Sequence, residues 1–409
     1  MPLEVVAITG ASGFLAQHLI AYLQNNATDV VKEIRAVDRK PFKKFLATPN
    51  LIYQQVEARR SSVLLYTQAS LIRCQPMQAT TAYFPSVIPI KHYEFDICNE
   101  LHLEHALSSC TTVFHCAAKS FEFVHSEQNF ADQYWHDNVN ATESLINVMQ
   151  TKLVRRLIFV GDAFSMLPAG DNYGLSEYMH QSLPSNFMLG SYGESKARSE
   201  LIIKNAAQKG SKFDAIILRP PFIFGEGETH LISMAKKVCS KYGGIPIIDG
   251  DDRGNHQFIY AGNMAAIMER SMRCLMKDAA KYNGEVVLCL DRTTCMTFTN
   301  FIMPYMEASG FRRCDSISYL SSFLMAAYHS LLSKIGSKQC FGYLTLTAHR
   351  FLNGWTVGFS NRKLRLLLDF IPPFDQSEAM KKSIEWYEEN ETTKRKQPSV
   401  VAGERPKTG

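Results

Sequence analysis

The chain has 409 residues, of which 46% are hydrophobic and 20% charged, and carries a formal net charge of +5. That composition supports a large buried core and excludes collagen, a coiled coil and a wholly disordered chain. The small positive charge, with no basic patch interleaved with aromatics, excludes nucleic acid as a partner. Ten cysteines occur without a CxxC pair or a His/Cys cluster at zinc spacing, so the expectation is reduced, mostly buried thiols and no metal site. No basic leader precedes the first apolar run, which suits a reducing, cytosol-facing environment.

Residues 4–9 (EVVAIT) predict a first strand. A glycine-rich turn follows, then a helix with Leu15, Leu19, Ile20 and Leu23 on one face. Residues 33–38, 92–97, 112–116, 156–161 and 213–219 predict five further strands. Short apolar strands separated by helical patterns imply βαβ units, hence an α/β fold with a doubly wound parallel sheet of the Rossmann type. After Arg219 the elements shorten, as expected of a smaller substrate lobe, and residues 285–290 predict a strand that returns to the main sheet. The expected division is a dinucleotide-binding domain over 1–225, an interleaved C-terminal lobe over 226–391 and a disordered polar tail over 392–409. Residues 55–89, with Pro76, Pro85 and Pro89, read as an insertion between the second and third strands.

Residues 317–335 form an amphipathic pattern with no charge between Asp315 and Lys334. Leu320, Phe323, Leu324, Ala327, Tyr328, Leu331, Leu332 and Ile335 share one helical face, opposite Ser321, Ser322, His329, Ser330 and Ser333. Two readings fit this pattern, packing against the core and lying in a membrane surface. A uniformly apolar spanning helix would not be two-faced.

Thr9-Gly10-Ala11-Ser12-Gly13-Phe14-Leu15-Ala16 lies between the first strand and the first helix. In a dinucleotide fingerprint Gly10 makes the tight turn, Gly13 admits the pyrophosphate, and the helix N-terminus stabilises its charge. Asp38 closes the second strand, where a carboxylate accepts hydrogen bonds from the adenosine ribose and repels a 2′-phosphate; the neighbouring Arg39 pulls the other way. NAD is therefore the expected cofactor. Asp96-Ile97 and His115-Cys116-Ala117-Ala118 close the third and fourth strands, where a doubly wound sheet binds its ligands. His115 and Cys116 point to opposite faces and make no nucleophilic dyad.

Tyr192 and Lys196, in Ser191-Tyr192-Gly193-Glu194-Ser195-Lys196, are four apart on one helix face. A phenol titrates near ~10, and a neighbouring ammonium lowers that value, which makes Tyr192 a workable base for a substrate hydroxyl.

Together these motifs resemble the extended short-chain dehydrogenases, and within them the 3β-hydroxysteroid dehydrogenase/isomerase family. The likeness covers residues 3–54 and 90–390 and includes TGASGFLA, HCAA, Asn138-Val139, YGESK, RPPFIFGEGE from Arg219 and FIYAGNMA from Phe258. It implies NAD-dependent oxidation of a 3β-hydroxy steroid or sterol, with or without Δ5–Δ4 isomerisation. Tyr192 would be the proton acceptor, Lys196 would bind the nicotinamide ribose, and Pro220 would lie beside the nicotinamide. It also implies association of 317–335 with the cytoplasmic face of the endoplasmic reticulum membrane, and a homodimer. The family's Ser or Thr after the fifth strand is replaced by Asp162, with the next hydroxyl at Ser165. That departure keeps two rivals open: a sterol-4-carboxylate or other bulky-alcohol dehydrogenase, and an NAD-binding protein with little turnover.

Overall fold

Eight parallel strands build the main sheet: β1 (Glu4–Thr9), β2 (Val31–Asp38), β3 (Tyr53–Val56), β4 (Ile90–Glu94), β5 (Thr112–His115), β6 (Arg156–Val160), β7 (Asp214–Arg219) and β8 (Val286–Leu288). Their order across the sheet is β8-β7-β6-β5-β1-β2-β4-β3. The helices in chain order are α1 (Phe14–Asn26), α2 (Glu100–Leu107), α3 (Ala141–Lys152), α4 (Gly190–Ala206), α5 (Leu231–Tyr242), α6 (Ala261–Lys277), α7 (Phe298–Ala308), α8 (Tyr319–Lys334) and α9 (Gln376–Lys396), with shorter turns between them. This computed structural model describes residues 3–42, 46, 53–56, 88–124, 130–179, 182–208, 210–249, 253–334 and 343–396.

All six residues of β1 are buried because helices cover both faces of the sheet. Val6 and Ile8 pack with Leu19 and Leu23 of α1 and Met264 and Met268 of α6. Val5 and Ala7 face the other way, with Leu103 of α2, Leu145 and Met149 of α3 and Ile203 of α4. The strand order reverses at β1, which opens a crevice at its carboxyl end, between the ends of β1 and β5.

The strand predicted over 92–97 is Ile90–Glu94, so Asp96 and Ile97 sit in the turn beyond it. Gln55 and Val56, read as the start of an insertion, extend the sheet as part of β3, and residues 57–87 lie outside those described. A boundary at 225 does not divide the chain in space. Helix α6 and strand β8 lie after it yet belong to the main sheet, because Met264, Ile267, Met268 and Met272 of α6 pack in one core with α1 and the strands. Conversely, Asn172–Leu175 pairs with Val357–Phe359 in the second lobe. Helix α9 continues past Thr392 to Lys396, so the tail expected to lack structure is helical over 392–396, and 397–409 lie outside the described residues.

Helix α8 turns a stripe outward. Leu320, Leu324, Tyr328 and Leu331 are each at least 58% exposed, and their spacing puts them in line along the helix. Its buried side is partly polar. Ser322 is 1% exposed and accepts a hydrogen bond from His349 Nε2 at 2.9 Å, while Ser330 Oγ accepts from the Leu346 amide at 2.7 Å. Phe323 is half-buried rather than outward, with Arg350 over its ring, and Ile335 lies outside the described residues.

Candidate active site

Gly10 has φ +69°, and a Cβ there would stand 2.8 Å from the backbone of Ala117. The turn thus presses against the end of β5 and leaves no room for a side chain. Gly13 precedes α1 with no side-chain cap, so the amides of Phe14 and Leu15 open the helix without intrahelical partners. Gly10, Ser12, Gly13, Asp38, Asp96, Ile97, Ala117 and Ala118 line one cleft with Arg39, Cys116 and Asp137. Lys196, Pro220 and the side chains of Phe14 and Leu15 do not line it. A bare glycine cradle against β5, free helix amides and a carboxylate at the end of β2 fit a dinucleotide.

Asp38 accepts from the Ser12 amide at 2.9 Å through Oδ2 and from the Lys40 amide at 2.8 Å through Oδ1. Each carboxylate oxygen has a second lone pair, which leaves capacity for a ribose hydroxyl. Arg39 turns away from that carboxylate. Its guanidinium donates to both oxygens of Asp137, at 2.9 and 2.6 Å, and lies 3.8 Å from Asp96.

Tyr192 and Lys196 share the buried side of α4 but do not meet. Lys196 Nζ donates to the Val160 carbonyl at 3.0 Å and sits 5.0 Å from the centre of the Phe159 ring. Burial brings its ammonium down to about 8, against the pull of Asp162. The Tyr192 hydroxyl donates to Asp162 Oδ2 at 2.7 Å. Burial and the adjoining carboxylate together hold the phenol well above its ordinary value, and burial likewise raises Asp162. Ser165 does not stand in for the missing hydroxyl, since its side chain donates to the Asp162 carbonyl at 2.9 Å. Pro220 is tied to the same turn, its carbonyl accepting from the Ala163 amide at 3.0 Å. Phe121 and Tyr134 close around Tyr192, with ring centres 5.6 and 5.5 Å away.

Asn138 links these parts. It accepts from the Lys119 amide at 2.8 Å, just beyond the β5 end, and donates to Ser195 Oγ on α4 at 2.8 Å. It lies in a π-helical stretch, Trp135–Asn140, a local widening often found at functional sites. The Asn138-Val139 motif pointed to this position, whereas Asp137 is brought to Arg39 by the tertiary structure alone. Asp96, Cys98 and His136 also converge, their ligand atoms within 4.8 Å of one another. Burial pushes the Cys98 thiol up to about 12, and His136 Nδ1 is bonded to Asp137 at 2.9 Å. His115, beside Cys116, is held between Thr9 and Thr142. The eight cysteines among the described residues are all free.

The fold resembles MoeE5 solved with UDP-glucose and NAD, at TM-score 0.61 and 19% identity over 94% of this chain and 99% of that one. It is similarly close to the dTDP-glucose 4,6-dehydratase DesIV from Streptomyces venezuelae, at TM-score 0.61 and 15% identity over 95% and 98%. By sequence, the chain is 22% identical to the 3 beta-hydroxysteroid dehydrogenase/Delta 5-->4-isomerase of Vaccinia virus (strain Copenhagen), over 95% of this chain and 100% of that one. It is 24% identical to the decarboxylating sterol-4-alpha-carboxylate 3-dehydrogenase ERG26 of Saccharomyces cerevisiae, over 78% and 89%. The sequence profile of the 3-beta hydroxysteroid dehydrogenase/isomerase family matches residues 7–320, and the chain belongs to that family of NAD-dependent oxidoreductases acting on a CH–OH group.

Proposed function

We propose that this protein oxidises the 3β-hydroxyl of a steroid or sterol to the ketone with NAD. The observation that carries the substrate class is the family match over residues 7–320, with a steroid and a sterol dehydrogenase among the similar proteins. A cavity between α5, α7 and α8 is lined by Met234, Val238, Ile248, Phe298, Ile302 and Ala326, and among the described residues no Lys, Arg, Asp or Glu lines it. An uncharged apolar lining of this kind favours hydrocarbon over a diphosphate. Gly10, Gly13 and the first amides of α1 would hold the pyrophosphate. Asp38 would hold the adenosine ribose, with Ser12, Phe14, Leu15, Asp96, Ile97, Ala117 and Ala118 around the cofactor. Lys196 and Pro220 would serve its nicotinamide end. The nicotinamide, when bound, accepts the hydride from the carbinol carbon. Tyr192 receives the hydroxyl proton, in an aromatic enclosure that keeps water out.

The test is cofactor reduction by purified protein with 3β-hydroxy steroids, 3β-hydroxy sterols, their 4-carboxy derivatives and UDP-glucose. Reduction with a 3β-hydroxy substrate is expected, conjugated-enone absorbance reports isomerisation, and carbon dioxide release marks a 4-carboxysterol. Reduction with UDP-glucose alone sinks the reading.

The outward stripe of α8 supports a second element, monotopic association with a membrane on its cytoplasmic face. No helix among the described residues is long and apolar enough to cross a membrane. An aligned row of Leu320, Leu324, Tyr328 and Leu331 matches a helix lying in the interface plane. The cavity beneath α8 would then open close to the lipid that carries a sterol.

A further inference from the structure

We propose that Asp162 and Tyr192 form a proton-sharing couple in which the Asp162 carboxylate, not a tyrosinate, is the basic group of the reaction. The inference rests on the dehydrogenase reading above. Its geometric basis is the way Asp162 is held. The turn carrying it is pinned on both sides, the Gly161 amide donating to the Leu218 carbonyl at 2.7 Å and the Ala163 amide to the Pro220 carbonyl at 3.0 Å. Asp162 Oδ1 accepts from the Phe164 amide at 2.7 Å, and Oδ2 accepts from Tyr192 Oη at 2.7 Å. Both oxygens are acceptors and Tyr192 is the donor, an arrangement complete with Asp162 ionised and Tyr192 protonated.

A protonated tyrosine beside a carboxylate holds as many protons as a tyrosinate beside a serine. The couple therefore retains one vacancy for a proton, relocated from the phenol to the carboxyl. Ionising Tyr192 as well would set two negative charges within hydrogen-bond distance in a buried site, which is strongly unfavourable. The step balances without a tyrosinate. The substrate O–H bond breaks as its proton passes to Tyr192 Oη, and the proton formerly on Tyr192 crosses the existing bond to Asp162 Oδ2. The electron pair left on the substrate oxygen closes the carbonyl as the carbinol carbon gives up its hydride, which bound NAD would accept. Tyr192 and Asp162 both end neutral.

The other groups facing Asp162 fit this role. Lys196 from α4 attracts it at a distance while bonded to the Val160 carbonyl, and Arg219 from β7 is itself engaged by both oxygens of Glu200, at 2.7 and 2.6 Å. Tyr134 faces Tyr192. Among the described residues no cation forms an ion pair with Asp162, and burial raises its titration. Activity should therefore rise with pH through a carboxyl group lifted above its usual range, and reach its plateau without a phenol ionising.

The deciding experiment is an ultraviolet titration of tyrosinate in the full-length protein, with and without NAD, each form subtracted from its Tyr192→Phe counterpart. In the wild type no Tyr192 step is expected below pH ~10, the ordinary phenol value. In Asp162→Ser the step should move down, and the acid limb of kcat should move up by at least one pH unit, because a tyrosinate must now do the work. Should Asp162→Ser fail to fold, Asp162→Asn gives the same readout. Its amide keeps the shape but accepts no proton, so the Tyr192 step again falls and the acid limb of kcat again moves up. A Tyr192 step at neutral pH in the wild type, or one unmoved by either substitution, overturns the proposal. If no variant oxidises any alcohol, the dehydrogenase reading fails, and the titration still decides the couple.

Discussion

Arg39 holds Asp137 through two parallel hydrogen bonds of 2.9 and 2.6 Å, across 98 residues of chain. Arg39, which could neutralise a 2′-phosphate, is thus already paired, while Asp38 beside it lines the cleft as a carboxylate. Asp137→Ala frees Arg39, and the NADP/NAD ratio of Kd values should shift toward NADP by roughly tenfold, or ~1.4 kcal/mol. Asp38→Ala should weaken NAD and shift the ratio the same way. Equilibrium titration of both cofactors measures this, and an unchanged ratio in both variants removes Asp38 and Arg39 from the selectivity argument.

Gly10→Ala combines two penalties, a left-handed backbone at φ +69° and a Cβ 2.8 Å from Ala117. The backbone term alone costs about 1–2 kcal/mol. Opening the turn to relieve the clash moves the amides that would hold the pyrophosphate. NAD affinity should fall at least tenfold in protein that remains folded by circular dichroism. Wild-type affinity in that variant places the dinucleotide elsewhere.

Tyr192→Phe keeps the ring between Phe121 and Tyr134 and removes only the hydroxyl that meets Asp162. Turnover should drop by about 10²–10⁴-fold, with NAD affinity unchanged. A variant within threefold of wild-type kcat rules Tyr192 out as the proton acceptor.

The triple change Leu320→Glu, Leu324→Glu and Leu331→Glu falls on the exposed line of α8 and leaves Ser322 and Ala326, which face the protein, untouched. Co-sedimentation with phosphatidylcholine vesicles should be lost while the melting temperature holds. Equal binding of both proteins to vesicles contradicts insertion of that face.

Acid should destabilise the protein below pH 6.5 through buried imidazoles. Burial holds His115 down to about 3, and His256 and His349 to about 4, against 6.5 for an ordinary histidine. Between these values the unfolded chain binds more protons than the folded one. Each residue's contribution is therefore complete above 6.5 and lost as pH falls toward its folded value, at about 1.4 kcal/mol per pH unit. Urea unfolding at pH 7 and pH 5 measures the loss, and equal stabilities there mean the imidazoles are already charged in the fold.

The amino-acid sequence by itself determined what local chemistry enforces. Six apolar runs between helical patterns required a sheet covered on both faces, and a glycine that tolerates no Cβ marked the turn after β1. The spacing of Tyr192 and Lys196 put both on one side of α4. Contacts between distant segments were decided only by the tertiary structure. Folding β6 against α4 delivered the Tyr192 hydroxyl to Asp162 and sent the Lys196 ammonium to a backbone carbonyl, although spacing alone pairs the tyrosine with the lysine. The amphipathic pattern of α8 was plain in the sequence, yet which face would meet water was not. An apolar stripe satisfies a core and a lipid surface equally, and the docking of Ser322 on His349 and of Ser330 on the Leu346 amide turned the leucines outward. The return of α6 and β8 to the first sheet has the same cause, since an apolar face specifies that a segment packs inward, not which layer receives it.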